Sequence, residues 1–584
     1  MIDRKSQRIG LILAVLLSTA ACNSSQSGQG AGPNGSGASG KDCDTTSGLS
    51  LPPGFCATIF ADGIGHARHL AVGADGTVFA NTWSGKYFGN EPPPPGGFII
   101  ALRDTNGDGK ADDVRRLGQP SQAGATGGTG IALYRDGLFV EEGSRILRYQ
   151  MGRDGLPGGG PQVVLNGLAT DGEHNMHPFV ISPRGELFVN TGSATNSCQV
   201  KNRAPGSPGK SPCDEKALRA GIWLYDANAR NQNYSTQARY VSGLRNSGGM
   251  TFDASGRLFG VQHGRDQLAQ SWSRLYTPEQ GAELPAEELV ELIRGKDYGW
   301  PECYFDPGKG SLVLAPEYGG DGKTAGLCAQ RQGPVAAFPA HWAPNDVAFY
   351  PGGSFPTAYK GGMFIAFHGS WNRAPLPQAG YNVVFQRFAN GKPSGRFIVF
   401  ADGFAGGEKS PDKAAYRPAG LAVDRHGALY VADDQKGRIW RITYNGAADA
   451  PLVAASAAKS ASAPSANSTT ATGAALPPGA TSEQRALGEA IFSGRVAGGS
   501  CAGCHGAGGA GTSFGPALTS GKWIWSDGSL NGIEATIANG VPKPRNHPGA
   551  MPPMGGSQLS KAQLDAVSVY VWSLGHASPA KDSH

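Results

Sequence analysis

One short pattern returns six times between residues 70 and 430. An apolar run meets a turn carrying Asp-Gly or another glycine, and a second run of alternating aromatic and aliphatic residues follows. The copies are Leu70–Phe79, Ile131–Val140, Val180–Val189, Met250–Phe259, Val347–Gly353 continuing into Met363–Ile365, and Leu421–Tyr430. A glycine-bearing turn between two short apolar runs signals a β-hairpin. Intervals of roughly 50–100 residues exceed any solenoid period and fit propeller blades with loops of variable length. Radial closure hides the strand edges that an open sheet of about 400 residues exposes. The expected fold is mainly β, a six-bladed β-propeller over residues 43–445. A tandem of β-sandwiches is the competing arrangement, and the uneven spacing of a single pattern argues against it. The one helix expected inside is Pro285–Arg294, in a loop insertion.

Composition removes several classes. The 89 Gly and 41 Pro carry no Gly-X-Y period, which excludes collagen. A net charge of +5 over 584 residues, with no Lys/Arg-rich run, argues against nucleic acid as a partner. The one long apolar run, Ile9–Ala21, is too short to cross a bilayer. Arg4, Lys5 and Arg8 precede it and the small residues Ser18–Ala21 close it, so residues 1–21 read as an export signal. Cys22 follows directly. The junction resembles a lipoprotein cleavage box, with Thr19 where that box usually has Leu. The expectation is a periplasmic protein held to the membrane by lipid on Cys22, with residues 22–42 as a flexible tether. Ordinary cleavage near the same place is the alternative.

Nine cysteines stand at 22, 43, 56, 198, 213, 303, 328, 501 and 504. An exported chain permits disulfides. Three sequence-local pairs, Cys43 with Cys56, Cys198 with Cys213 and Cys303 with Cys328, are the simplest arrangement among the alternatives, which include buried free thiols.

Cys501, Cys504 and His505 form a C-x-x-C-H run, the attachment signal for haem c. Two thiols three residues apart lie on one side of a helical turn and can each add to a haem vinyl. The next residue offers its imidazole to the iron. A zinc site needs a second ligand pair, and no Cys follows Cys504. Residues 480–576 resemble class I cytochromes c, which places a small all-α domain at 481–578. That resemblance assigns the sixth iron ligand to Met551, in the run Ala550–Pro553 and 46 residues after His505, with Met554 as the other candidate. Met/His ligation suits electron transfer. It also matches Pro516 to a proline that braces the ligating His. Gly488 and Phe492 match the opening helix that meets the closing helix at Val567–Trp572. Ala, Ser and Thr dominate residues 446–480, which read as a linker.

Polar residues capable of chemistry fall in the loops beside the repeated hairpins: Glu173 and His174, Arg245 and Asn246, Gln262–Asp266, His368–Arg373, and Arg417. Loops from all blades converge at one end of a propeller channel. Four arginines there would repel unless an anion sits among them.

In their order, the runs Gly243–Asn246, Gln262–Gln267, Asp297–Pro301, His368–Arg373 and Tyr416–Pro418 resemble the glucose/sorbosone dehydrogenase family, nearest its sorbosone-like branch. The resemblance covers residues 51–444 and implies pyrroloquinoline quinone (PQQ) on a six-bladed propeller. It assigns His174 as catalytic base and Arg245 as the group that stabilises charge on the quinone oxygens. Glu173 would orient His174. Arg68, Asn246, Arg373 and Arg417 would hold PQQ, and backbone carbonyls of Gly264 and Arg265 would hold Ca2+ beside it. Two departures touch substrate choice. His177 stands where sorbosone-type relatives carry Arg, so His177 or an altered pocket would set a different preference. Blade two has Gly130–Ile131 where some relatives place a histidine. Asp104, Asn106 and Asp108 begin like a calcium loop, but Arg115 stands where an EF-hand has Glu, so a second calcium and a solvated hairpin are both open.

The sequence thus points to an exported quinohaemoprotein. It would oxidise an aldose, sorbosone-like sugar or aldehyde by hydride transfer to PQQ. Electrons would then pass through haem c to another cytochrome or respiratory-chain component. The alternatives are a non-catalytic ligand-binding propeller with a haem relay, and a PQQ dehydrogenase for a non-sugar alcohol or aldehyde.

Overall fold

The computed structural model describes residues 45–83, 94–120, 127–411, 413–455, 476–493, 496, 501–511, 515–545, 547, 550–557 and 559–576. The expected export signal, Cys22, the expected tether and Cys43 lie outside these residues.

Each of the six repeats is the inner hairpin of one sheet. The first blade runs Ala67–Val72, Val78–Thr82, Gly97–Arg103, Asp113–Pro120. The second is Ile131–Tyr134, Gly137–Glu142, Arg145–Met151, Pro157–Asn166, with Gln232–Asn233 added in parallel at its edge. Phe179–Ile181, Glu186–Thr191, Gly221–Asp226 and Arg239–Ser242 form the third. Met250–Phe252, Leu258–Gln262, Glu287–Glu291 and Ala336–Phe338 form the fourth. The fifth is Pro344–Phe349, Met363–Phe367, Asn382–Gln386, Ile398–Ala401. The sixth takes three strands from Pro418–Val423, Leu429–Asp433 and Ile439–Tyr444. Its outermost strand is Phe55–Ala61, antiparallel to Ile439–Tyr444. Strands from opposite ends of the propeller sequence thus close the ring within one blade.

Six apolar layers follow the same order, one between each pair of neighbouring blades. Phe79, Phe98 and Leu138 join blades one and two, and Phe139, Leu187 and Trp223 join two and three. Phe188, Ile222 and Val290 join three and four. Phe259, Val261 and Ile365 join four and five. Phe364, Phe400 and Trp440 join five and six, and Phe60, Val78 and Tyr430 return the ring from six to one. Each large side chain so buried is worth about 1.5–3 kcal/mol.

The segment read as a helix, Pro285–Arg294, is instead the third strand of the fourth blade. Glu288–Glu291 pairs with Phe259–Gln262 on one side and Glu287–Leu289 with Ala336–Phe338 on the other. Leu289 and Val290 are both buried, so neither face is solvated and the alternation that marks a strand is lost. Cys198–Cys213 and Cys303–Cys328 are disulfides. Cys56 is disulfide-bonded, and its expected partner Cys43 lies outside the described residues.

The first residues of the expected linker stay on the propeller. Thr357 N donates to Ala448 O at 2.9 Å and Ala455 N to Val399 O at 2.8 Å. Helices Ser482–Phe492, Cys501–His505, Leu530–Asn539 and Lys561–Gly575 build the second domain. A capping box at Thr481 and Gln484 starts the first, and one at Ser560 and Gln563 starts the last. These two helices cross at Gly488, where a Cβ would stand 2.0 Å from Ala566 O, so only glycine allows the approach. Phe492 and Tyr570 pack with ring centroids 5.2 Å apart.

Candidate active site and haem cleft

A strand that enters a blade and the strand that leaves it beside it share one end of the sheet. Arg417 immediately precedes the sixth blade's inner strand, and Asp434 immediately follows the next. His263 and His368 follow the second strands of blades four and five. Arg245 and Asn246 lead into blade four, and His174 into blade three. Arg68 lies within the first strand of blade one. All of these residues line one cavity of about 800 Å3. Cys501, Cys504, His505 and Met551 line the same cavity. The propeller mouth and the cleft of the helical domain are therefore one continuous space.

His174 is oriented from behind. Its Nδ1 lies 2.9 Å from Ser193 O and 3.0 Å from Ser193 Oγ. A carbonyl at that distance accepts, so the proton sits on Nδ1 and Nε2 is left as the basic atom. Burial, reinforced by the Arg245 charge, pushes its pKa down to about 3, so the ring is neutral at pH 7. His263 and His368 are likewise pushed down to about 4, chiefly by burial.

The arginines come with counter-charges. Arg68 pairs with Asp434, whose other oxygen lies 2.7 Å from His368 Nε2. Arg245 Nη2 meets Asp266 Oδ2 at 2.8 Å, and its Nη1 and Nε donate to Gly264 O and Asn196 O. Arg203 makes a third set of pairs, with Glu173 and Asp266. Burial alone would raise Glu173, but Arg203 overrides it and holds the carboxyl at about 2. Arg245 with Arg203, and His368 with Arg68, likewise outweigh burial and keep Asp266 and Asp434 far below the usual carboxylate range. Four cavity arginines thus face three ionised carboxylates. The mutual repulsion of these arginines is largely relieved by the protein itself. Glu287, also on the cavity, is pushed up to about 7 by burial despite accepting Gly264 N and Ala343 N.

Donors remain for an anionic ligand. Arg68 Nε is buried with no hydrogen-bond partner among the described residues. Arg417 donates Nε and Nη2 to His368 O and Gly369 O, and its guanidinium has no ion pair with a carboxylate among the described residues. Asn246 accepts from Asn190 Nδ2 through Oδ1, leaving its own amide to donate. With His174, this donor set fits a compact polycarboxylate quinone.

Several sequence assignments land elsewhere. Arg373 does not line the cavity. Its Nη1 donates to Ala282 O and Ala340 O and its Nε to Pro377 O, so it braces loops. His177 is fully buried, with Nδ1 and Nε2 at 3.0 and 2.9 Å from Asn190 O and Ala169 O, and it is absent from the cavity wall. It cannot meet substrate there. Arg265 turns away to pair with buried Glu317. Gly264 O already accepts from Arg245, so a calcium ion there must share it with a guanidinium. Asp104 accepts the amides of Gly107, Asp108 and Gly109, Asn106 that of Asp108, and Asp108 that of Lys110. This is a self-capped turn, and among the described residues no group of three His, Cys, Asp or Glu could hold a metal. The cavity residues Arg203, His341, Glu287 and Asp434 escaped the sequence reading. Only Asp434 stood near a signal, as the residue after a repeated strand.

The helical domain presents a haem-shaped donor set. Cys501 and Cys504 are half-buried, their thiols pushed up to about 12 and 11, mainly by burial. His505 Nδ1 lies 2.9 Å from Pro516 O, which fixes the ring and leaves Nε2 for a metal. Phe492, Ile533, Ile537, Val541, Val567 and Val571 make apolar walls. Met551 lines the cleft, whereas Met554 does not.

The TrAA12-like family model matches residues 49–445, and the model of cytochrome c oxidase cbb3-type subunit III matches residues 484–571. The Coprinopsis cinerea pyrroloquinoline quinone-dependent pyranose dehydrogenase is 28% identical over 258 residues, 38% of this chain and 34% of that protein. The cbb3-type cytochrome c oxidase subunit FixP of Azorhizobium caulinodans is 43% identical over 81 residues, 14% of this chain and 27% of that protein. The chain thus spans about a third or less of these two relatives. Among solved structures, the iodide form of the Trichoderma reesei family AA12 enzyme superposes with a TM-score of 0.54 at 20% identity, covering 68% of this chain and 98% of that one. The holo PQQ domain of C. cinerea pyranose dehydrogenase gives 0.53 at 19%, covering 68% and 97%. At these identities the two share the propeller fold.

Proposed function

The chain belongs to the TrAA12-like family, and from that premise we propose that it is a quinohaem oxidoreductase. It oxidises an aldose or a related sugar or aldehyde and delivers the electrons through its own haem c to an external carrier. The observation that carries the reading is the shared cavity: a neutral His174 and a set of arginine donors open onto the same space as Cys501, Cys504, His505 and Met551. The C. cinerea relative is a pyranose dehydrogenase, which supports a sugar as the substrate class.

PQQ, when bound, supplies a two-electron acceptor for a hydride from the substrate carbon. Haem c supplies a one-electron outlet. Arg68, Asn246 and Arg417 would hold the quinone's carboxylates with the donors left to them. His174 Nε2 takes the substrate hydroxyl proton, with Ser193 holding Nδ1. Arg245, fixed by Asp266 and Asn196, offers positive charge to oxygens that gain electron density. An anion entering the cavity offsets Arg245 and raises the basicity of His174. Cys501, Cys504, His505 and Met551 hold haem beside that site. Export and a lipid on Cys22 belong to the same proposal, on the strength of the basic start and apolar run of residues 1–21.

The test is PQQ titration of the purified protein followed by dye reduction with a panel of sugars and aldehydes. Saturable PQQ binding with turnover of at least one sugar supports the reading. Binding without turnover of any compound makes the propeller a ligand-binding module.

A further inference from the structure

Arg203 stands where the propeller site meets the haem domain. Its backbone is left-handed, φ 59°, inside the loop closed by Cys198–Cys213. A non-glycine residue stays in that conformation only where its surroundings hold it. Here the side chain does so. Nε and Nη2 clasp Glu173 at 2.8 and 2.7 Å, Nη2 also reaches Asp266 Oδ2 at 2.8 Å, and Nη1 reaches Gln267 Oε1 at 3.1 Å.

Each partner leads on to the chemistry. Glu173 adjoins His174, and Asn202 secures the same carboxylate at 2.7 Å. Asp266 Oδ2 also takes Arg245 Nη2, and Asp266 Oδ1 takes Asn372 at 3.0 Å. Gln267, left-handed at φ 58°, lies against the haem domain. A Cβ on Gly556 would stand 3.0 Å from Gln267 Nε2. Gly556 closes the short turn Pro553–Gly556, just past Met551.

We propose that Arg203 is a positioning residue whose contacts with Glu173, Asp266 and Gln267 tie the orientation of His174 and Arg245 to the seating of the haem domain on the propeller. The proposal rests on the quinone-site reading above, but its first readout needs no quinone. Lysine cannot replace this grip, because an ammonium lacks the planar fork that engages two carboxylates and an amide at once.

The experiment uses the full-length haem-loaded chain without PQQ and follows hydrogen exchange over Met551–Ser557 and His263–Gln267. Arg203→Gln and Gln267→Ala are expected to speed exchange in Met551–Ser557 about tenfold, and Arg203→Lys to fall between them and wild type. With PQQ and sugar, Arg203→Gln is expected to lower dye-linked kcat/KM about tenfold to a hundredfold and to move the pH profile, as misplacement of a catalytic base does. If Arg203→Gln does not fold, Arg203→Lys must show both changes in weaker form. Wild-type exchange with an unchanged pH profile in the folded Arg203 variants overturns the proposal. The quinone reading fails separately, when wild-type protein oxidises no sugar even though the exchange changes are present.

Discussion

Asp434 offers a sharp test of how the propeller mouth is held together. It is almost fully buried, pairs with Arg68, and lies 2.7 Å from His368 Nε2. Asp434→Asn keeps the shape and removes the charge, leaving Arg68 buried without its carboxylate. Breaking one partner of such a pair costs about 3–5 kcal/mol. Unfolding entropy is about 2.1 cal/mol/K per residue, so a propeller of roughly 390 residues has about 0.8 kcal/mol/K. The expected drop in Tm is therefore about 4–6 °C. The sign of its pH dependence follows from the depressed pKa. Burial opposes ionisation, but His368 and Arg68 outweigh it. A carboxyl lowered on folding contributes stability above its unfolded value of about 3.9 and loses it as the pH falls through the folded value. The gap between wild type and Asp434→Asn is thus full at pH 7 and at pH 5.5, and it narrows only below about pH 4. Thermal unfolding of the full chain, followed by near-UV circular dichroism without added cofactor, measures it. No gap at pH 7, or a gap that widens on acidification, refutes the reasoning.

Further outcomes follow from the same geometry. Arg417→Gln is expected to weaken PQQ binding by about tenfold or more, one charge-assisted contact being worth about 1.5–3 kcal/mol. Arg373→Gln, off the cavity, leaves the affinity within about twofold, and calorimetric titration of both variants checks the contrast. Met551→Ala removes the methionine–iron signature from the haem spectrum, whereas Met554→Ala keeps it. In the cofactor-free protein, an NMR titration finds His174 neutral throughout pH 5–8, and PQQ raises its pKa. Asp104→Asn leaves any calcium dependence of activity unchanged in a chelator titration.

The parts of the fold that were legible in the sequence are those settled locally. All six inner hairpins could be read because a glycine-bearing turn between apolar runs fixes both strands within ten residues or so. The Cys501–His505 run is equally local. Closure by Phe55–Ala61 was not legible, since its partner strand begins at Ile439, and nothing in either segment encodes the other. The fourth blade's third strand was misread because burial on both faces erased its period. In the site, His174, Arg245 and Arg417 sit in short motifs beside repeated strands. Arg203 and Asp434 gain meaning only from partners that the ring brings together, Glu173 with Asp266 and Arg68 with His368. Arg373 misled because its motif reaches the cavity through His368, Trp371 and Asn372 while its own side chain turns to backbone carbonyls.

Rapid mixing of the PQQ-loaded full-length protein with sugar, while the haem absorbance is followed, tests most directly whether one cavity serves both halves of the reaction. Haem reduction within the turnover time is expected, and its rate should fall about a hundredfold or more in His174→Ala. Sugar-dependent dye reduction with the haem left oxidised, or haem reduction at the wild-type rate in His174→Ala, would contradict it.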